Sequence, residues 1–256
     1  MSRIFVTGDT HGQIDIMKLN TRMWPEQKDL TKDDYLIICG DFGLLFNYKE
    51  TGRSVSACPE DTCWGDDEIW LYNWYCEKPF TILWVDGNHE CFDRLAKYPV
   101  EEWHGGKVQK ISDNIIHLMR GQYYDIDDKT FFTMGGARST DRGIATHSEE
   151  FDRGKWWWDA EMPTEEEFEK AKKTLEEHGN KVDFILTHEI PFQFRHQLGF
   201  GSDRMSDFLG EIKDNVDFLY WFCGHYHCDT DYSNISILYR RIMEIADWAN
   251  EQKKDS

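Results

Sequence analysis

Read for apolar and polar positions alone, the chain shows five short apolar runs at residues 4–6, 35–39, 80–85, 184–186 and 218–222. Each stops at a polar cluster marked by glycine or histidine. Runs of this length with such boundaries predict buried strands. Their near-continuous apolarity suits strands covered on both faces. Helices are predicted over residues 14–23, 67–77, 164–178 and 206–213. The clearest is 164–178, where Thr164 and Glu167 make a capping box, Phe168, Ala171 and Leu175 share a stripe, and Gly179 is a stop. Residues 115–119, 122–126 and 129–134 read as a strand meander with a tight turn at Asp127-Asp128. Residues 234–239 read as a pair that closes a sheet edge, and residues 240–251 as a C-terminal helix. The alternation of strands and helices predicts an α/β layered domain, two packed sheets flanked by helices, with its core over residues 4–239. Two long irregular stretches, 47–66 and 137–163, are of a length that usually carries function or motion.

Composition narrows this picture modestly. A chain of 256 residues fits a single domain, residues 1–256, with a sizeable core. The formal charge is 29 − 48, or −19, with the acidic residues spread along the chain. That field repels nucleic acid and anionic membrane at long range, so no membrane and no long nucleic acid are expected as partners. Plain solubility is the first reading of the charge as a whole. No apolar run approaches the roughly 18 residues of a membrane helix, and the start has no signal-peptide pattern. With an odd count of seven Cys, this predicts a cytoplasmic protein with reduced thiols. Cys58 and Cys63 resemble half of a zinc site that lacks a second half.

The unusual polar residues follow the five predicted strands. They are Asp9-Thr10-His11, Gly40-Asp41, Gly87-Asn88-His89-Glu90, Thr187-His188 and Gly224-His225-Tyr226-His227. In open α/β sheets, ligands bind at the carboxyl ends of strands. A donor set of Asp, Asn and His suits Mn, Fe, Zn or Ni and is poor for calcium. A bridging carboxylate can join two such ions, which about 3.5–4 Å apart clamp the attacking and leaving oxygens of a phosphoryl group. Gly8, Gly40, Gly87 and Gly224 are expected to let the backbone turn sharply at the strand ends. A lone histidine such as His188 is ordinarily structural; it is the set of five clusters that predicts a metal site.

In this order the motifs resemble those of the calcineurin-like metallophosphoesterases, over residues 4–239. The resemblance implies a four-layer α/β/β/α sandwich of two mixed sheets flanked by helices. It implies that Asp9, His11 and His227 hold one metal, that Asn88, His188 and His225 hold a second, and that Asp41 bridges them. It further implies in-line attack on phosphorus by a hydroxide held between the ions, with His89 protonating the leaving oxygen. Many members carry an acidic residue shortly after the second Gly-Asp, which pairs with the motif histidine. Here Asp41 is followed by Phe42-Gly43-Leu44-Leu45, so the partner of His89 must come from elsewhere, Glu90 and Asp86 being near in sequence.

Weaker signals surround this set. Gly135-Gly136 leads to Arg138 and Arg142, candidate phosphate contacts that read equally as surface ion pairs. Trp156-Trp157-Trp158 reads as a core or lid anchor before it reads as a stacking wall. His104, His117, His147, His178 and His196 are expected to be structural or exposed, and Tyr226 to pack. The expected activity is hydrolysis of a phosphate mono- or diester with two divalent ions, manganese first and Fe, Zn or Ni next. The expected partner is a phosphate-ester substrate. The rival is a scaffold of the same fold with a degraded site, against which stands the presence of all seven ligands and His89. A nuclease would need a basic or aromatic groove, which the composition supports little.

Overall fold

The computed structural model describes residues 2–46, 64–139 and 157–245. Among these residues the strands form two sheets. The first contains β1 (Ile4–Thr7), β2 (Tyr35–Cys39), β3 (Thr81–Val85), β4 (Val100–Trp103), β5 (Gly106–Ser112), β6 (Ile115–Leu118) and β13 (Ile242–Glu244), in the order β13-β1-β2-β3-β6-β5-β4. The second contains β7 (Gln122–Ile126), β8 (Lys129–Met134), β9 (Lys181–Thr187), β10 (Asp217–Cys223), β11 (Thr230–Tyr232) and β12 (Ile235–Ile237), in the order β11-β12-β10-β9-β8-β7. β1, β2, β3 and β6 run parallel to their neighbours in that series, as do β8, β9, β10 and β12 in theirs. Antiparallel strands complete both sheets, so each is mixed.

Alternation along the central strands builds the layers. Because side chains point to opposite faces in turn, Ile37 and Cys39 of β2 and Leu83 and Val85 of β3 enter the core between the sheets. Phe184 and Leu186 of β9 and Tyr220 and Phe222 of β10 meet them there. Leu36, Ile38, Ile82 and Trp84 face outward against Leu71 and Tyr75 of α1 (Asp66–Cys76). On the far side, Ile185 and Trp221 pack against α3 (Glu165–Glu177) and α5 (Arg204–Asn215). Helix, sheet, sheet and helix therefore stack as four layers, with α2 (Phe92–Leu95) and α4 (Phe192–Arg195) as short connectors. Each fully buried Leu, Ile or Phe side chain contributes on the order of 2 kcal/mol.

The capping signals hold. Thr164 Oγ1 accepts from Glu167 N at 3.2 Å while Glu167 Oε2 accepts from Thr164 N at 2.8 Å. In α5 the helix starts earlier than expected because Asp203 caps it, accepting from Ser206 N at 2.9 Å. Three expectations are corrected. Residues 14–23 hold only a 3-10 turn, Ile16–Leu19, because Asn20 Oδ1 accepts the N–H groups of Arg22 and Met23 and so competes with helix propagation. The meander over 115–134 is a handover: β6 belongs to the first sheet and β7 to the second, with Gly121 (φ 62°) at the crossing. Within the expected C-terminal helix, Ile242–Glu244 is instead a strand. It pairs antiparallel with β1, whose edge would otherwise be open, and Arg3 grips Glu244 through two bonds of 2.7 Å. The β11–β12 hairpin closes the free edge of the second sheet. No helix among the described residues is long and apolar enough to cross a membrane. Cys39, Cys76, Cys91, Cys223 and Cys228 are free thiols, while Cys58, Cys63 and His147 lie outside the described residues.

Candidate metal centre

The strand ends that carry the polar clusters come from both sheets: β1, β2 and β3 from one, β9 and β10 from the other. The five clusters converge. Donor atoms of Asp9, His11 and His227 lie within 4.8 Å of one another, and so do those of Asp41, His188 and His225. Asp41 Oδ2 is 3.2 Å from His11 Nε2 and 3.3 Å from His188 Nε2, which places it between the two groups. Asn88 joins the second group, with Oδ1 3.3 Å from His188 Nε2.

Local backbone explains the convergence. Thr10 and His11 donate their N–H groups to the Asp41 carbonyl at 3.1 and 2.8 Å, lacing the loops after β1 and β2 together. His225 N donates to Asp9 Oδ1 at 3.0 Å, and His89 N to Asp41 Oδ1 at 2.7 Å. The Cys39 carbonyl, 2.8 Å from His188 Nδ1, can only accept, so that nitrogen carries a proton and Nε2 is the ring nitrogen turned toward the centre. Of the four strand-end glycines, Gly40 alone has a positive φ, 91°. At Gly224 the need is room rather than rotation: a Cβ there would lie 2.2 Å from Asp9 Oδ1. His11, Asp41, His225 and His227 themselves hold positive φ values of 43°, 47°, 72° and 48°. Such left-handed non-glycine residues cost energy and gather at functional sites.

The electrostatics fit a cation. Burial alone would lower the His188 pKa, but the Asp41 and Asp9 carboxylates raise it to about 10. Burial would likewise raise the Asp41 carboxyl, and His188 with the other neighbouring imidazoles holds it well below the carboxylate range. Protons thus gather around two buried anions. Asp9 Oδ2 is a buried oxygen without a hydrogen bond of proper geometry, although His227 Nε2 lies only 3.2 Å away. A donor and an acceptor that converge without bonding suit two ligands of a shared ion. The residues present therefore fit divalent metal, which would take the place of those protons.

His89 is half-buried, its ring edge-on to Phe46 at 5.2 Å and to His11 at 5.4 Å. It also offers a ring nitrogen within 4.8 Å of donors on His11 and Asp41. The two carboxylates nearby in sequence are engaged elsewhere. Glu90 Oε1 accepts from Phe42 N at 2.9 Å. Asp86 is bound to Arg120 at 2.5 and 2.8 Å and to His117 at 3.1 Å, a buried cluster beneath the loop that carries Asn88 and His89. Arg138 is exposed on the loop after β8, and Arg142 lies outside the described residues. Trp157 and Trp158 are buried, Trp158 facing Phe46 at 5.9 Å, and Trp156 lies outside the described residues. The Tyr226 hydroxyl donates to the buried Glu189, which Arg195 also holds.

Sequence reading passed over the residues behind the ligands. Asp15 Oδ2 lies 2.7 Å from His11 Nδ1, and Lys18 Nζ donates to the Asp9 carbonyl at 2.7 Å. The His11–Asp15 pair lies on a turn rather than a helix, so its four-residue spacing gave no helical signal. Nothing marks Lys18 either.

Comparison with known proteins agrees with this geometry. The profile of the calcineurin-like phosphoesterase family matches residues 2–229. The lariat debranching enzyme of Drosophila pseudoobscura pseudoobscura is 23% identical over 244 residues, covering 88% of this chain and 42% of that protein. Lariat debranching enzyme A of Xenopus laevis is 23% identical over 243 residues, again 88% and 42%. The Saccharomyces cerevisiae lariat debranching enzyme is 34% identical over 117 residues, 45% of this chain and 26% of the enzyme. The chain thus spans less than half the length of these relatives. With a family match across most of its length and the motif residues gathered at one set of strand ends, the chain belongs to the calcineurin-like phosphoesterases, a family of metal-dependent phosphoester hydrolases.

Proposed function

We propose that this chain hydrolyses phosphodiesters with two divalent ions at the strand ends. Asp9, His11 and His227 hold one ion, Asn88, His188 and His225 hold the other, and Asp41 bridges them. The observation that carries this reading is the place of Asp41 Oδ2, 3.2 Å from a ring nitrogen of one group and 3.3 Å from a ring nitrogen of the other. When bound, the ions neutralise phosphoryl oxygens and acidify water. The protein's own groups keep the donors fixed and dry on one side: the His188 side chain is 0% exposed, whereas that of His227 is 52% exposed and opens the centre to solvent. His89, at the half-buried rim, gives a proton to the departing oxygen. Manganese is the first ion to test, with Fe, Zn and Ni suited to the same donors.

The preference for diesters rests on the relatives, whose lariat debranching is a phosphodiester hydrolysis. It does not conflict with the −19 charge, which repels long polyanions at long range and leaves short diesters open. The test is hydrolysis of bis-p-nitrophenyl phosphate and p-nitrophenyl phosphate by metal-stripped protein reloaded with Mn, beside an Asp41→Ala control. Faster diester cleavage that the control lacks supports the reading. Monoester preference converts it to a phosphatase. Inactivity on both and on a lariat substrate, with two ions bound, overturns it in favour of a scaffold.

A further inference from the structure

Behind the Asp9–His11–His227 group lies a chain of contacts that ends beyond the family match. Asp15 Oδ2 takes His11 Nδ1 at 2.7 Å. Its other oxygen, Oδ1, accepts the Tyr239 hydroxyl at 2.7 Å. The Tyr239 ring in turn stacks on His227, with centroids 5.0 Å apart and planes 17° apart. One carboxylate and one phenol therefore touch both histidines of the group, although Asp15 and Tyr239 are 224 residues apart.

Tyr239 is itself tied down. Asp229 Oδ1 accepts the N–H groups of Tyr239, Arg240 and Arg241 at 2.8, 3.2 and 3.2 Å. Lys18 Nζ donates to the carbonyls of Gly8, Asp9 and Tyr239, so one ammonium joins the Asp9 backbone to the Tyr239 backbone. The approach is close enough that a Cβ on Gly8 would lie 1.8 Å from the Leu238 carbonyl oxygen. Tyr239 follows the residues matched by the family profile, which end at 229.

A histidine that gives one ring N–H to a fixed carboxylate presents its other nitrogen in one direction and as a better donor. Asp15 does this for His11, and the Tyr239 hydroxyl prevents the carboxylate from turning away. The Tyr239 face limits rotation of the otherwise exposed His227 ring. We propose that Asp15 and Tyr239 are positioning residues that set the orientation of His11 and His227, and thereby the affinity of this one group for a divalent ion. The inference rests on the reading that Asp9, His11 and His227 hold a metal.

The experiment is a calorimetric titration of Mn²⁺ into the metal-stripped full chain. It compares the unaltered chain, Asp15→Asn, Tyr239→Phe, Tyr239→Ala and His227→Ala, with melting of each metal-free protein alongside. Asp15→Asn is expected to weaken one of two Mn²⁺ sites about tenfold or more, in the range of partners that orient metal ligands. Tyr239→Ala should weaken the same site, and the isosteric Tyr239→Phe by less, because it keeps the stack. Metal-free melting should stay unchanged in Tyr239→Phe. Co²⁺ absorption in Asp15→Asn should change for that site alone. The inference is overturned if Asp15→Asn and Tyr239→Ala bind both ions as the unaltered chain does while His227→Ala loses one. It is also overturned if both sites weaken equally together with a lowered metal-free melt. Should His227→Ala retain both ions, the metal reading beneath it fails instead.

Discussion

Two buried clusters of carboxylate and imidazole lie within a few residues of each other, and they differ in how their charges are settled. In the cluster beneath the Asn88 loop, Asp86 gives both oxygens to partners, Arg120 at 2.5 and 2.8 Å and His117 at 3.1 Å. His117 Nδ1 lies 3.0 Å from Gln109 Oε1, and Gln109 Nε2 donates to the carbonyls of Leu95 and Tyr98. None of these residues holds a positive φ. At the strand ends, two buried carboxylates meet three imidazoles, those of His11, His188 and His227, at 3.2–3.9 Å, one carboxylate oxygen lacks a proper hydrogen bond, and four residues are left-handed. A buried ionic cluster that satisfies itself is architecture. One that crowds donors without completing them, on strained backbone, is built for something that arrives later.

Substitutions can sharpen this contrast, and the largest effect belongs to the strand ends. Asp41→Ala removes the atom between the two groups, so at least one ion and nearly all turnover should be lost. Metal analysis that found two ions at full occupancy would refute the bridging role. Arg120→Ala should cost about 3–5 kcal/mol in urea unfolding, because it leaves the buried Asp86 charge without its guanidinium. A stability within 1 kcal/mol of the unaltered chain would mean that the cluster is not architectural. His89→Ala should keep both ions and reduce turnover about 10²-fold or more. Unchanged turnover sinks the proton-donor assignment, and a lost ion would make His89 a ligand.

The smallest effect is in pH. Burial pushes the Asp86 carboxyl up, and Arg120 with His117 overcomes this and brings it down to about 2. A depressed carboxyl contributes stability that is fully present above its ordinary value of 3.8 and is lost as pH falls through about 2. The contribution is roughly 2 kcal/mol. The stability difference between the unaltered chain and Asp86→Asn should therefore hold steady above pH 4 and shrink between pH 4 and 2. A difference that stayed constant down to pH 2 would show that Asp86 is not held by this pair.

Where chemistry clusters locally, the sequence was readable. Asp9-Thr10-His11 and Gly224-His225-Tyr226-His227 announce themselves because each follows an apolar run within a few residues. Contacts between distant segments were not. β13 reads as helix from its neighbours, and only its pairing with β1, more than 230 residues earlier, makes Ile242–Glu244 a strand. β4 escaped because its side chains are largely exposed and show no apolar alternation. Arg120, which holds the buried Asp86, follows no motif that would announce it. Tyr239 had no motif at all, since its importance comes from His227, Asp15 and Lys18 meeting around it.

The strand ends belong to different sheets, with Asp41 on the first and His188 on the second only 3.3 Å from it. Ions held there, as proposed, would act as rivets through the seam of the sandwich. Chelation would then remove one cross-link between two halves that also share an apolar layer and hydrogen bonds such as that from His188 Nδ1 to the Cys39 carbonyl. Amide protons of β2 and β9, strands that never pair with each other, would become easier to exchange together.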